Sequence, residues 1–235
     1  MAGYGQFCPV AKATELIGEK WTLLILRELL LGTTRFNDFQ RAMSRMSPTL
    51  LAKRLRHLEE SGIIIRKKIS GQRGHEYHLT KAGKELSPLV EILAVWGMRW
   101  ARSQLSDDEL DVEFLMLELQ RRLQTGNLPG GQTVICIIFD GITKHKTWWL
   151  IAEGEAVDLC TEDPGKDVDL YINSSVRTIV QVWEGDLDIH AALRDKLIKA
   201  HGSSYLIRSM PDWFGVCLYQ EIKRGDPELM RQIAE

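Results

Sequence analysis

The sequence predicts an α+β protein whose two halves differ in charge and in secondary-structure pattern. Residues 1–105 hold 17 Lys and Arg against nine Asp and Glu, with apolar residues mostly at helical spacing. Residues 106–235 are net acidic and mix short apolar strand patterns with helices. The overall charge of -2 therefore averages two unlike domains, 1–105 and 106–235. This difference in charge has two explanations: the basic domain binds a polyanion, or the two solvated surfaces differ in charge by chance.

Composition is that of a globular protein. The chain has 235 residues, of which 44% are hydrophobic and 26% are charged. Its longest apolar run is far shorter than the ~20 residues of a membrane span, and the N-terminus lacks a signal-peptide pattern. Four cysteines without close pairs do not indicate a disulfide framework. We expect a cytoplasmic protein with no membrane span.

Helical patterns occupy the start of the basic half. Apolar spacing predicts a helix over residues 14–31 and a short helix over residues 35–43. A turn over residues 44–47 follows, with Ser47 as the N-cap and Pro48 at the first position of a third helix. At ~100° per residue, Leu51, Leu55 and Leu58 form one apolar stripe. The opposite side carries Thr49, Lys53, Arg56 and His57, with Arg54 at the flank.

A β-hairpin follows the third helix directly. Residues 63–68 read as a strand with a basic end, residues 70–74 as a flexible turn and residues 75–79 as the return strand. Helix, turn, basic helix and basic hairpin together predict a winged helix-turn-helix. A helix of this kind fits the major groove, where its outward side chains reach base edges and its cations contact phosphates. The alternative is that the basic residues form only a solvated helix face.

Several sequence segments of this half resemble HxlR-type transcriptional regulators. They are Cys8-Pro9, LIGEKWTLLILREL over residues 16–29, RFNDF over 35–39, Met46-Ser47-Pro48, Leu51, Arg54-Leu55, Leu58-Glu59, Gly62-Ile63, Leu79-Thr80 and Gly83. The resemblance covers roughly residues 8–105 and implies a dimeric winged helix-turn-helix that binds operator DNA. Its recognition helix maps onto residues 48–60 and its wing onto residues 66–77. The residues expected to contact double-stranded DNA are Ser47, Thr49, Lys53, Arg54, Arg56, Lys68, Arg73 and His75.

The segment over residues 88–101 is more apolar than a small winged domain needs. Similar regulators pair through this region and through their first helix, which favours a homodimer. Packing against the second half of the same chain is the alternative, and both arrangements are compatible.

Reactive residues are few. Cys8 occupies the position at which some similar regulators sense oxidants, whereas many others keep this cysteine without a known redox role. His75-Glu76-Tyr77-His78 lacks the helical spacing of a zinc site, and residues 126–133 lack the lysine of a phosphate-binding loop. We expect no catalytic residue, no metal and no cofactor, and therefore no enzyme.

The acidic half reads as a mixed sheet with helices. Predicted helices cover residues 110–123 (after a capping box at 106–109), 174–183, 188–194 and 203–210. Predicted strands cover residues 133–139, 146–151, 155–160, 168–172 and 197–200. The half resembles the sterol-carrier-protein-like fold through Asp167-Val168-Asp169-Leu170, Arg177-Thr178, Val182-Trp183-Glu184-Gly185-Asp186, Ala191-Ala192-Leu193 and Lys196-Leu197.

That resemblance implies an apolar ligand held between the sheet and the helices. Large aromatic residues would suit such a pocket, although each could equally fill the core. The candidate ligand-binding residues are Trp148, Trp149, Trp183, Trp213 and Phe214.

Together these patterns predict a homodimeric transcriptional regulator of the HxlR type that binds palindromic operator DNA. An apolar effector in the C-terminal domain would modulate it. The alternative is a lipid-binding or carrier protein that uses its basic half to contact anionic surfaces.

Overall fold

The chain divides into two compact units. The computed structural model describes residues 3–69, 71, 74–102 and 105–226. The units are Met1–Ala94 and Val95–Glu235. The division falls inside a helix, Ser87–Trp96, whereas the change in charge places the predicted domain boundary after residue 105.

The first unit combines helices with one hairpin. Its elements are α1 (Pro9–Ile17), α2 (Thr22–Leu30), α3 (Phe36–Ala42), α4 (Pro48–Glu60), β1 (Ile64–Lys68), β2 (His75–Leu79), α5 (Lys81–Lys84) and α6 (Ser87–Trp96). β1 and β2 are antiparallel. Ile25, Leu26, Phe39, Leu51 and Leu58 are fully buried and join the helices in one core. The predicted winged helix-turn-helix is confirmed.

The predicted continuous helix over residues 14–31 is wrong. The chain leaves the helix after Ile17, and Trp21 adopts a left-handed conformation with a φ of 80°. A non-glycine residue in this conformation interrupts a helix, so α2 begins at Thr22 in a new direction. Apolar spacing does not reveal this break because Leu16, Ile17, Leu23 and Leu24 keep helical periodicity on both sides of it.

The second unit contains a mixed sheet, and its helices come before the first strand, between the last two strands, and after the last strand along the chain. A π-helical turn over Gly97–Ala101 and a 3₁₀ turn over Asp107–Glu109 precede α7 (Val112–Arg122), and a 3₁₀ turn over Thr125–Asn127 follows it. The strands are β3 (Gln132–Asp140), β4 (Thr147–Glu153), β5 (Ala156–Cys160), β6 (Leu170–Ser175) and β7 (Ile198–Gly202). The remaining helices are α8 (Val176–Glu184), α9 (Ile189–Arg194), α10 (Ser204–Arg208) and α11 (Met210–Trp213).

The sheet has the order β5-β4-β3-β6-β7, and β3 lies at its centre. β3 and β6 are parallel, whereas the other neighbours are antiparallel. Alternate residues of the central strands, including Ile135, Ile137 and Ile172, are buried in the same cluster as the apolar faces of α7 and α8. The α+β class predicted for this half is confirmed.

Two predicted helix boundaries in this unit need correction. The capping box from Ser106 to Glu109 is present, but it caps the 3₁₀ turn. Asp111 instead caps α7 by accepting a hydrogen bond from the Phe114 backbone N–H at 3.1 Å. The predicted helix over residues 203–210 is two short helices, because Ser209 ends α10 and also precedes α11, whose first turn contains a proline.

Candidate nucleic-acid interface

The exposed face of α4 is the centre of the candidate interface. The Ser47 hydroxyl accepts a hydrogen bond from the Leu50 backbone N–H at 3.2 Å, and Pro48 starts the helix. Leucines on the inner side are buried in the core of the first unit. The outer side leaves Thr49, Lys53 and Arg56 exposed to solvent. A helix with this division can enter a groove while its inner side holds it to the domain.

The turn between α3 and α4 is held by specific contacts. Gln40 donates a side-chain hydrogen bond to the Met46 backbone carbonyl at 3.1 Å. The Phe39 ring packs edge-on against Tyr77 of β2, with 6.3 Å between the ring centroids. The first contact ties the turn to α3, and the second joins α3 to the wing.

The wing is a short antiparallel ribbon with a basic outer end. Lys68 of β1 lies opposite His75 of β2, and Lys67 lies opposite Glu76. Lys67, Lys68 and His75 are exposed. Arg66 instead pairs with Glu59 at the C-terminal end of α4, with 3.6 Å between the charged atoms. All four side chains are exposed, and Arg66 also joins the ribbon to α4.

The residue before the wing, Gly62, has a backbone conformation that favours glycine. Gly62 follows α4 with a φ of 71°, a left-handed conformation that favours glycine. The Thr80 hydroxyl donates to the Gly62 carbonyl at 2.8 Å and so closes the base of the hairpin. Arg73, the predicted contact near the wing tip, lies outside the described residues.

Arg54 has a different environment from the other predicted DNA-contact residues. Its guanidinium forms an ion pair with Glu19 and donates from Nε to the Lys20 carbonyl at 3.2 Å. Only 12% of the Arg54 side chain is exposed. His57 adds a second contact of the same kind, since its Nε2 lies 3.2 Å from the Leu16 carbonyl oxygen. These contacts hold α4 against α1 and the segment after it, and the DNA contact of Arg54 stays a prediction.

We expect the Arg54→Ala substitution to lower stability. It leaves the mostly buried Glu19 carboxylate and a backbone carbonyl without their partner, which costs about 1–3 kcal/mol of unfolding free energy. Urea unfolding followed by circular dichroism measures the loss, with Lys53→Ala as the exposed control. In a double-mutant cycle, Glu19→Gln combined with Arg54→Ala should cost less than the sum of the single changes. Equal stability of Arg54→Ala and the control would show that the pair contributes nothing.

Sequence reasoning missed two contributors to this face. Glu19 was not assigned a role, although it lies in the charged Gly18-Glu19-Lys20 segment that interrupts an apolar helix pattern. Lys67 is as fully exposed on the wing as Lys68 but points to the other side of the ribbon. The continuous basic run over residues 66–68 was the available signal.

The cysteines differ in burial. Cys8 is exposed at the N-cap position of α1, and its side chain makes no capping hydrogen bond. Burial, with a smaller contribution from Asp163, raises the pKa of Cys136 to about 11. Burial also raises the pKa of Cys217. These two thiols are therefore inert at neutral pH, and the redox assignment of Cys8 stays a prediction.

In the part of the chain that the structure describes, no group of three or more His, Cys, Asp or Glu side chains is placed to hold a metal ion. None of the helices in these residues combines the length and the apolar character that a membrane span requires.

The five aromatic residues predicted to bind a ligand are dispersed. Trp148, Trp213 and Phe214 are buried in the core of the second unit. The Trp148 indole N–H donates to the His145 carbonyl and that of Trp213 to the Leu206 carbonyl. Trp149 faces the opposite side of the sheet from Trp148. Among the five, Trp183 lines a cavity whose walls come from α7, α8 and the segment before α7.

Comparison with known proteins gives the family of the first unit. The family model described as HxlR-like helix-turn-helix matches residues 16–105. The uncharacterized HTH-type transcriptional regulator YvaP of Bacillus subtilis is 33% identical over 97 residues, which are 40% of this chain and 90% of YvaP. The chain belongs to the HxlR-like helix-turn-helix family. In this chain, α3, the turn and α4 form the helix-turn-helix, and the β1–β2 hairpin follows it.

The chain is also similar to two further transcriptional regulators. An uncharacterized HTH-type transcriptional regulator of Mycobacterium tuberculosis, Rv3095, is 45% identical over 89 residues. The match covers 37% of this chain and 56% of that protein, so the chain spans about half the length of this relative. The solved structure of the reduced transcriptional regulator YodB from B. subtilis is 27% identical, with a TM-score of 0.37. It covers 42% of this chain and 98% of YodB.

Proposed function

We propose that the chain is a transcriptional regulator that binds double-stranded operator DNA through α4 and the wing. The observation that carries this proposal is the exposure of Thr49, Lys53 and Arg56 on one side of α4, beside the basic wing. Three buried leucines hold the other side. The HTH-type regulators that match this unit support the same function. Because duplex DNA is the proposed partner, the cytoplasm remains the expected compartment.

In this proposal the two elements have separate tasks. α4 enters the major groove, where Thr49, Lys53 and Arg56 reach base edges or phosphates. Ser47 sits at the start of the helix and its hydroxyl proton can be donated to a phosphate oxygen. Lys67, Lys68 and His75 contact the backbone beside the groove. Arg54 orients the helix through Glu19.

The apolar surface of α6 supports a homodimer. Its residues are nowhere buried, and Leu89, Ile92 and Leu93 are among the exposed large hydrophobics. Phe7 and Val10, beside and within α1, are also exposed. Several large apolar side chains exposed on one helix are typical of a protein–protein interface, and a second copy provides the two-fold symmetry that a palindrome requires. Half-sites would then lie ~34–36 Å apart.

The order of elements in the second unit supports a sterol-carrier-protein-like ligand domain. β6, α8, the Gly185-Asp186 turn and α9 follow one another in the order on which the resemblance rests. A ligand bound there would alter DNA affinity only if it binds the DNA-competent and incompetent conformations with different affinity.

A salt-series DNA titration tests the regulator function. The full chain is titrated against fragments of its own upstream region, with unrelated DNA as competitor. We expect selective binding at two chains per site, with affinity falling steeply as salt rises. Equal weak binding to every fragment, together with tight binding to anionic vesicles, would instead favour the carrier alternative.

A further inference from the structure

The cavity between α7 and α8 combines an apolar wall with carboxylates. It has a volume of about 170 Å³. Its apolar lining comes from Leu105, Leu110, Phe114, Leu115, Val180 and Trp183. A cavity of roughly 150 Å³ with such a lining accepts a benzene-sized molecule. The cavity thus has room for one aromatic ring with a small substituent.

The charged residues of the lining are all acidic. They are Glu109, Asp111, Glu118 and Glu184. Glu118 is neutralised by Arg121 and Arg122, each at 3.0 Å. The Glu109 carboxylate accepts from the Ser106 hydroxyl and backbone N–H, and that of Asp111 caps α7. Three of the four carboxylates therefore have structural tasks.

Glu184 differs from these three. Its carboxylate makes no hydrogen bond or ion pair with any residue that the structure describes, although nearby cations exist. Arg102 and Arg224 are both engaged by Asp186, and Arg102 donates only to the backbone carbonyl of Glu184, at 3.0 Å. Burial and then the Asp186 charge raise the pKa of Glu184, and the two arginines offset this only in part. The negative charge of this half-buried carboxylate is thus only partly balanced, and a cation beside it would balance it further.

We propose that this cavity binds a small organic cation with an aromatic body, and that the Glu184 carboxylate is its counter-ion. The rings of Phe114 and Trp183 supply apolar contact and attract a cation over their faces. The only partly balanced carboxylate disfavours an anionic ligand such as a fatty acid. This inference rests on the proposed ligand-binding role of the second unit and names the chemical class of the ligand.

Three probes of similar size test the charge preference. Benzyltrimethylammonium is compared with its neutral isostere neopentylbenzene and with 3-phenylpropanoate. Titrations of the full chain without DNA are followed by saturation-transfer NMR of the ligand. We expect the cation to bind roughly tenfold tighter than the neutral isostere, and the anion to bind weakest. Equal or tighter binding of the neutral probe would overturn the cation inference while preserving an apolar ligand site.

Two variants locate the site. Glu184→Gln should remove the preference for the cation and leave the neutral probe unaffected, whereas Glu162→Gln, at an exposed acid outside the cavity, should change neither. Because burial already disfavours the Glu184 charge, the glutamine variant should fold as well as the parent. Val180→Phe fills the cavity and should abolish binding of both probes. Binding that persists in Val180→Phe would place the site elsewhere and refute the proposal.

The affinity for the cation should also depend on pH. Protonation of Glu184 removes the counter-charge, so binding weakens as pH falls through its raised pKa. Benzyltrimethylammonium does not titrate, so any pH dependence comes from the protein. The other charged groups of the cavity lining are Glu109, Asp111 and Glu118, and the charges that act on Glu184 are Asp186, Arg102 and Arg224. Glu184→Gln should therefore flatten the upper part of the profile; an unchanged profile would contradict the assignment. Failure of all three probes to bind would remove the ligand role itself, while the DNA titration independently tests the regulator.

Discussion

Replacing Lys53 and Arg56 together by alanine should reduce operator affinity roughly 100-fold, because each cation contributes about 1–3 kcal/mol when it contacts a base or a phosphate. Both side chains are exposed on α4, so the free energy of unfolding should stay within ~0.5 kcal/mol of the parent. Fluorescence anisotropy with an operator fragment measures the loss. Repeating the titration at several salt concentrations shows how many of the lost contacts were to phosphates. Each phosphate contact that is lost makes the slope of log binding constant against log salt concentration shallower by roughly one.

The control for this variant is Lys199→Ala, which removes one positive charge from the second unit. Lys199 is an exposed cation on β7 of the second unit, far along the chain from α4. Its removal lowers the net charge without touching the proposed interface, so operator affinity should change less than about twofold. If both variants lose affinity equally, the effect of Lys53 and Arg56 is that of total charge, and α4 is not the reading helix.

An aspartate at position 92 should convert the proposed dimer into a monomer. Ile92 is 66% exposed on α6 in the single chain, and a charge placed there would be buried without a partner once two copies meet. We expect light scattering to report one chain per particle at micromolar concentration. Operator affinity should fall by about 100-fold or more, because two linked half-site contacts become independent.

Leu218→Asp is the control for this substitution. Leu218 is also 66% exposed but lies in the second unit, outside the α1 and α6 surface. The same change of side chain there should leave the dimer intact. A dimer that survives Ile92→Asp with normal operator affinity would exclude α6 as the interface and leave its apolar surface for another partner.

Much of the first unit was predictable because its signals are local. The turn before α4, the Ser47 cap and Pro48 define the start of a helix within a few residues. Leu51, Leu55 and Leu58 repeat at helical spacing, so one side must be buried and the opposite side exposed. The hairpin follows from two strand patterns around glycines. In the second unit, the same kind of local pattern placed most strands and α8.

The amino-acid sequence by itself determined the α+β class, the basic winged helix-turn-helix and the side of α4 that faces solvent, because periodicity, caps and turns act between neighbouring residues. Only the tertiary structure decided that Arg54 pairs with Glu19, 35 positions earlier in the chain, rather than facing outward. It also decided that Trp148 and Trp213 fill the core while Trp183 and Glu184 line a cavity. These contacts join residues that are far apart in the sequence and come together only when the core packs. The spacing of residues along the chain therefore does not predict them.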